Sequence, residues 1–283
     1  MTQSREGGLS PKKEQVATAY TLAADSYDGS AMGFRGRFGG QLVDLTKVKP
    51  GHRVLDLCCG SGASALAAAR KTGPAGGILG VDIAQGLVEL ARAKAAREGL
   101  SWAQFRCVDV EALEVPPASF DVGQCGFAIF FFDDMTSPIR TLLRAVRPRG
   151  TIGVSIWGEE FWEPYNTRFF ECIRRRRPDL YTGAPAWYRI NSADALAALL
   201  RRAGATNIAV RTERVSHVVV GAEGWWKVMW GSGYRGTLSR LTPDELQAVR
   251  AEHLREIQPL VAPNGDLSLS SPVHFGIATV PAR

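Results

Sequence analysis

Short apolar runs that end on a polar or small residue alternate with longer helix-favouring segments through the first half of the chain. The spacing predicts helices over 13–25, 41–48, 63–72, 85–98 and 137–146, set between strands that end near Asp56, Asp82, Asp109, Gly126 and Trp157. Strands and helices in strict alternation predict an α/β architecture, a doubly wound parallel sheet. Beyond the fifth strand the pattern gives an insert over 158–191, a helix over 192–203 and a strand over 207–220. A second helical insert over 222–261 precedes a last strand over 272–280. The implied organisation is an N-terminal helical segment and core over 1–157, a first lid insert over 158–191 and a core helix and strand over 192–221. A second lid insert follows over 222–262, and a final core strand over 263–283. No internal repeat is evident.

The densest local signal is Val54-Leu55-Asp56-Leu57-Cys58-Cys59-Gly60-Ser61-Gly62, an apolar strand that runs through an acid into a glycine turn. The Ala-rich segment after it favours a helix, whose N-terminal amides point back at a ligand. Gly77-Ile78-Leu79-Gly80-Val81-Asp82 then reads as a buried strand. Its closing carboxylate stands 20 residues beyond Gly62, where an acid reaches ribose hydroxyls. Gly60-Ser61-Gly62-Ala63-Ser64-Ala65 also satisfies a relaxed dinucleotide fingerprint, so a nicotinamide or flavin enzyme stays open on that string alone. Asp56 tilts the choice, because a carboxylate beside the turn repels a pyrophosphate and suits a ligand carrying an ammonium and a sulfonium. S-adenosylmethionine is such a ligand. Phe105-Arg106-Cys107-Val108-Asp109-Val110 reads as a third strand whose terminal acid meets an adenine edge.

On these residues, and on Phe120-Asp121-Val122 and Arg147-Pro148-Arg149-Gly150-Thr151 further on, the chain resembles the class I S-adenosylmethionine-dependent methyltransferases. Within them it is most similar to the small-molecule subgroup that includes ubiquinone- and menaquinone-biosynthesis enzymes. The resemblance runs from about Gln15 to Trp157 and returns in the last strand. It implies a Rossmann-like, mostly parallel seven-stranded sheet whose closing antiparallel pair is here interrupted by helices. It further implies that Asp56, Gly60 and Gly62 surround the methionine part of the cofactor, that Asp82 binds both ribose hydroxyls and that Ile83 packs on the adenine. Asp109 would accept from the adenine amino group beside the Val110 amide, Cys125 and Gly126 would line the cofactor, and the N-terminal segment around Tyr20 and Tyr27 would close over the sulfonium. One position departs from the family pattern: Cys58 stands where a glycine is usual, so the backbone there is expected to avoid φ > 0.

Composition narrows the setting. With 283 residues, 45% of them hydrophobic and 22% charged, the chain is long enough for one sizeable α/β domain with additions. No stretch approaches the ~20 apolar residues of a membrane span, and the start does not read as a signal peptide, so a cytoplasmic enzyme is expected. Residues 1–8 read as a mobile polar tail. The five cysteines show no metal-ligand spacing and no secreted disulfide framework, and they read as small core hydrophobes. No metal is expected. The charge of +6 comes from 27 Arg and 7 Lys spread along the chain, without a nucleic-acid module to use it. The expected partner is a hydrophobic small molecule, with a homodimer left open.

Five of the seven tryptophans, Trp162, Trp187, Trp225, Trp226 and Trp230, fall in the two inserts. Together with Phe161, Tyr165, Phe169, Phe170, Tyr181, Tyr188 and Tyr234 they suggest an apolar lid. Phe161, Trp162, Trp225, Trp226 and Trp230 are the expected acceptor wall; packing of the lid onto the sheet is the competing reading for each single ring. If a base is needed, His217 is the candidate, against the alternative of a satisfied structural histidine. Tyr27 could orient the acceptor or the sulfonium. Glu159, with Glu160 and Glu163, could act as a base or be ordinary solvated charge. Arg174-Arg175-Arg176-Arg177 raises a diphosphate site, but on a helix four consecutive side chains diverge, which favours solvated charge. The expected activity is methyl transfer to carbon or oxygen of a polyketide, quinone, terpenoid or related metabolite. A nicotinamide-dependent oxidoreductase and a non-methylating, pericyclase-like binder of the same cofactor are the alternatives.

Overall fold

The computed structural model describes residues 9–181 and 183–282, so the polar tail read at residues 1–8 lies outside it. Along the chain come α1 (Pro11–Leu22), α2 (Phe34–Leu45), β1 (Arg53–Leu57), α3 (Ala63–Thr72), β2 (Gly77–Asp82), α4 (Gln85–Arg97) and β3 (Ala103–Cys107). They are followed by β4 (Phe120–Gly126), α5 (Thr136–Ala145), β5 (Val146–Trp157), α6 (Tyr165–Arg176), α7 (Ala193–Ala203) and β6 (Thr206–Val220). The chain ends with α8 (Gly221–Trp230), α9 (Arg235–Leu238), α10 (Pro243–Ile257) and β7 (Asp266–Thr279). The seven strands form one sheet in the order β3-β2-β1-β4-β5-β7-β6. β1 to β5 are parallel, and β7 runs antiparallel between β5 and β6. The order reverses between β1 and β4, which opens a crevice at the carboxyl ends of those strands.

The period of two along β1 explains how the core divides. Val54 joins the cluster under α3 and α4, with Ala65, Leu66, Val88 and Ala91, while Leu55 and Leu57 join the larger cluster on the opposite face. Asp56 shares the face of Val54.

Three elements differ from the sequence reading. α2 begins at Phe34 rather than at 41, although Gly36, Gly39 and Gly40 disfavour a helix there. Packing overrides propensity, because a Cβ on Gly39 would come within 2.6 Å of the Ala63 carbonyl carbon. Only a glycine lets α2 cross the start of α3 so closely. β3 stops at Cys107, and Asp109 instead caps a short 3₁₀ turn by accepting from the Glu111 amide at 3.0 Å. β7 starts at Asp266, six residues early, because it pairs with β6 as far as Val220.

The two inserts pack on each other through α6 and α10. Arg175 and Arg176 reach Glu252, and Arg177 reaches Asp179 and Glu245. Three of the four consecutive arginines are thus committed to carboxylates rather than grouped for a phosphate. No helix among the described residues is long and apolar enough to cross a membrane.

Candidate active site

The carboxyl end of β1 reverses sharply. Cys58, Gly60 and Gly62 all take positive φ, at 55°, 53° and 85°. The expectation that Cys58 avoids this region fails: the turn needs the left-handed conformation there whatever the residue, at a cost of about 1–2 kcal/mol for a side chain. A hydrogen bond from the Cys59 amide to the Val81 carbonyl, at 2.9 Å, pins the turn to β2. Asp82 completes it by accepting from the Gly60 amide at 2.8 Å and the Ala84 amide at 2.9 Å. Desolvation raises the Asp82 carboxyl above its ordinary range, with the amides of Ala84, Gly60 and Ile83 acting against it.

These residues form one end of a cavity with about 1510 Å³ of empty space, its mouth included. Of the residues assigned to the cofactor, Tyr27, Cys58, Gly60, Asp82, Ile83, Asp109, Val110 and Gly126 line it. Asp56, Gly62 and Cys125 do not. Asp56 is fully enclosed beneath α3, accepts from the Ser64 hydroxyl at 2.6 Å and leaves its Oδ1 without a partner. Burial pushes its carboxyl up to about 7. Its work is to anchor the first turn of α3 rather than to face a ligand. Gly62 caps α3 from outside the lining, and Cys125 is a core residue of β4 paired with Leu57 and Val154.

The other end is aromatic. Phe127, Trp157, Phe161 and Trp162 stack in a column with centroid separations of 3.9, 4.0 and 4.3 Å. Phe34, Phe38, Trp187 and Tyr234 extend this wall. Above the cavity lies α1, through Lys13, Val16 and Tyr20, and its Lys13 ammonium is paired with Asp109 and Glu111. Asp109 therefore already holds a cation and the Glu111 amide. Two polar atoms on the lining are buried without a partner, Ser155 Oγ and Trp187 Nε1.

Several acceptor-side expectations are corrected. Trp225, Trp226 and Trp230 do not line the cavity. Trp225 is wholly buried and donates to His253 Nε2 at 2.8 Å, behind Trp162. Trp226 is buried against Trp230, which in turn lies under the Arg235 guanidinium. The helical period of α8 turns these rings into the lid, so only Phe161 and Trp162 of that set face the cavity. His217 lies behind Phe34, on which it stacks at 4.5 Å, and burial pulls its pKa down to about 4. Glu159 is exposed to solvent and outside the cavity. Tyr27 alone of the three catalytic candidates is on the lining, and burial raises its hydroxyl.

The sequence reading missed Phe34 and Phe38, hidden by the glycine-rich stretch, and it missed Phe127, Trp157, Ser155 and Arg35. Ser155 and Trp157 were legible in one respect only: both sit near the end of β5, where crevice residues belong.

Residues 54–150 match the family model of the methyltransferase domain. The match spans about a third of the chain, which is similar there to methyltransferase domains. Among curated relatives, aklanonic acid methyltransferase DauC of Streptomyces sp. (strain C5) is 36% identical over 122 residues, 43% of this chain and 56% of that protein. Nocamycin O-methyltransferase of Saccharothrix syringae is 27% identical over 89% of this chain and 94% of its own. The crystal structure of the [4+2]-cyclase SpnF shares the fold, with a TM-score of 0.61 at 21% identity over 98% of each chain.

The cavity suits S-adenosylmethionine on its own chemistry. The Asp82 oxygens keep lone pairs for vicinal hydroxyls beyond the two amides they serve. Ile83 and Val110 offer apolar faces for a flat base. The partnerless Ser155 hydroxyl, beside Gly126 across the β4–β5 ladder, marks a place where a polar ligand is wanted.

Proposed function

We propose that the chain transfers the methyl group of S-adenosylmethionine to carbon or oxygen of a hydrophobic small molecule of specialised metabolism. The observation that carries this reading is the continuity of one cavity from the Asp82 and Gly60 turn to the stacked column of Phe127, Trp157, Phe161 and Trp162. Relatives named for aklanonic acid and nocamycin support an acceptor of the polyketide type.

In this reading Asp82, Ile83, Asp109 and Val110 hold the nucleoside, with Gly60, Tyr27 and Ser155 about the amino-acid end. Bound there, the cofactor supplies a methyl group already activated by positive sulfur. The chain's own contribution is alignment and dryness. The aromatic column fixes a flat acceptor, and α1 covers the mouth through Lys13 and Tyr20. Fixing two reactants in line can lower a barrier by on the order of 7–11 kcal/mol in the best intramolecular models. The test is incubation with S-adenosylmethionine and a panel of polycyclic phenols, quinols and acids, read by mass. The expected result is an acceptor gaining one methyl with equimolar S-adenosylhomocysteine. Tight cofactor binding that never yields S-adenosylhomocysteine would instead mark a non-methylating binder.

A further inference from the structure

Two features of the cavity bear on what the acceptor is. The first is the absence of a base. Among the cavity-lining residues there is no histidine and no glutamate. The two lining carboxylates are both at the nucleoside end, Asp82 on backbone amides and Asp109 on Lys13. The Cys58 thiol is held protonated by its hydrogen bond with Cys125 and by burial, and the Cys59 thiol and the hydroxyls of Tyr20, Tyr27 and Tyr234 by burial. His217 is shut behind Phe34.

The second is a surplus of donors. Arg35 lines the cavity half-buried, with its guanidinium 3.5 Å above the Tyr27 ring. Two of its five N–H groups serve the carbonyls of Tyr27, at 2.6 Å, and Gly231, at 3.0 Å, so three remain. Among the described residues it has no ion-pair partner, whereas Asp25, Asp28, Asp109 and Asp133 are each paired with a lysine or another arginine. Trp187 Nε1, a donor with no acceptor function, is buried on the same lining without a partner.

A half-buried guanidinium without a carboxylate, on the same lining as an orphan N–H, is complementary to an oxygen anion. We propose that the acceptor enters already ionised, as a carboxylic acid or a vinylogous acid on an aromatic or polyketide body, and that Arg35 is the residue that selects and positions this anion. The inference rests on the methyltransferase reading above. An ionised acceptor brings its own nucleophilic oxygen: that oxygen bonds to the transferred methyl, the carbon–sulfur bond breaks towards sulfur, and no proton has to leave. A neutral alcohol or phenol would need a base that this lining does not provide.

The test pairs anthraquinone-2-carboxylic acid with 2-(hydroxymethyl)anthraquinone, which share a flat body and differ in ionisation. Binding of each to the wild-type protein holding S-adenosylhomocysteine is followed by tryptophan quenching, and methylation is measured with S-adenosylmethionine. The acid is expected to bind at least tenfold more tightly and to be the one methylated. Equal binding, no difference between the two, or preference for the alcohol overturns the proposal. Arg35→Met is expected to raise KM for the acid by tenfold or more while the Kd for S-adenosylhomocysteine stays within about threefold, with partial recovery in Arg35→Lys. A parallel loss of S-adenosylhomocysteine affinity would mean that Arg35 holds the cofactor's own carboxylate, which also overturns it. The wild-type pair decides the matter even if Arg35→Met does not fold. Failure of the wild-type protein to bind S-adenosylhomocysteine at all would instead defeat the methyltransferase reading.

Discussion

The nucleoside end of the cavity and its aromatic end are made of different materials. At the first, backbone does most of the work: a turn with three positive-φ residues, amides from Gly60 and Ala84, and one carboxylate at a strand end. At the second, the wall is side chains drawn from α2, β5 and both inserts, from Phe34 to Tyr234. A backbone site tolerates little change in spacing, so it leaves a contiguous motif. A side-chain wall can be assembled from any residues that the topology brings together, and it leaves none.

Substitutions at four positions sharpen or break that contrast. The largest effect is expected from Trp225→Ala, which removes a wholly buried ring and strands the His253 nitrogen. Chemical denaturation should show a loss of about 3–5 kcal/mol, and a variant of wild-type stability with altered acceptor binding would put Trp225 back in the wall. Next comes pH. Because burial lifts Asp56 to about 7, the folded protein binds its proton more tightly than the unfolded chain does. Its contribution to stability is therefore full below about pH 4 and is lost as pH rises through 7, by up to about 4 kcal/mol. The stability of Asp56→Asn, measured by urea melts from pH 4.5 to 8, should lack this fall. An identical pH profile would mean that Asp56 is ionised in the fold.

Asp82→Ala removes the carboxylate proposed to hold the ribose and should weaken S-adenosylhomocysteine binding by roughly 2 kcal/mol. Unchanged affinity by calorimetry would dissolve the nucleoside end as described. The smallest effect is at the turn itself. Cys58→Gly should be more stable than Cys58→Ala by about 1 kcal/mol, since only glycine takes φ of 55° without strain. The reverse order in thermal melts would show that residue 58 is not left-handed.

Much of the fold was legible in the sequence. β2, α3 and the ends of β4 and β5 stand where the apolar pattern put them, because buried parallel strands must be continuous apolar runs and their connecting helices must alternate with them. α2 was half lost because Gly36, Gly39 and Gly40 signal a break locally, while the close approach of Gly39 to Ala63 is a tertiary fact. Among the cofactor candidates, the glycine turn and the spacing singled out Gly60 and Asp82 and the family resemblance Ile83 and Val110, and all four line the cavity. Asp56 was misread for want of one step: on a strand of period two it follows Val54 under α3, not the ligand. The tryptophans of α8 were misassigned for a similar reason, since aromatic density in a segment does not say which way a helix turns its rings. Arg35 was invisible because what distinguishes it is the lack of a carboxylate partner, and a missing contact has no sequence signature.

The most direct measurement is a calorimetric titration of the purified protein with S-adenosylmethionine, S-adenosylhomocysteine and NADH in parallel. Saturable binding of the two sulfur nucleosides, with no heat from NADH, is the expected result. Binding of NADH alone would contradict the assignment of the Asp82 and Gly60 turn to a sulfonium cofactor.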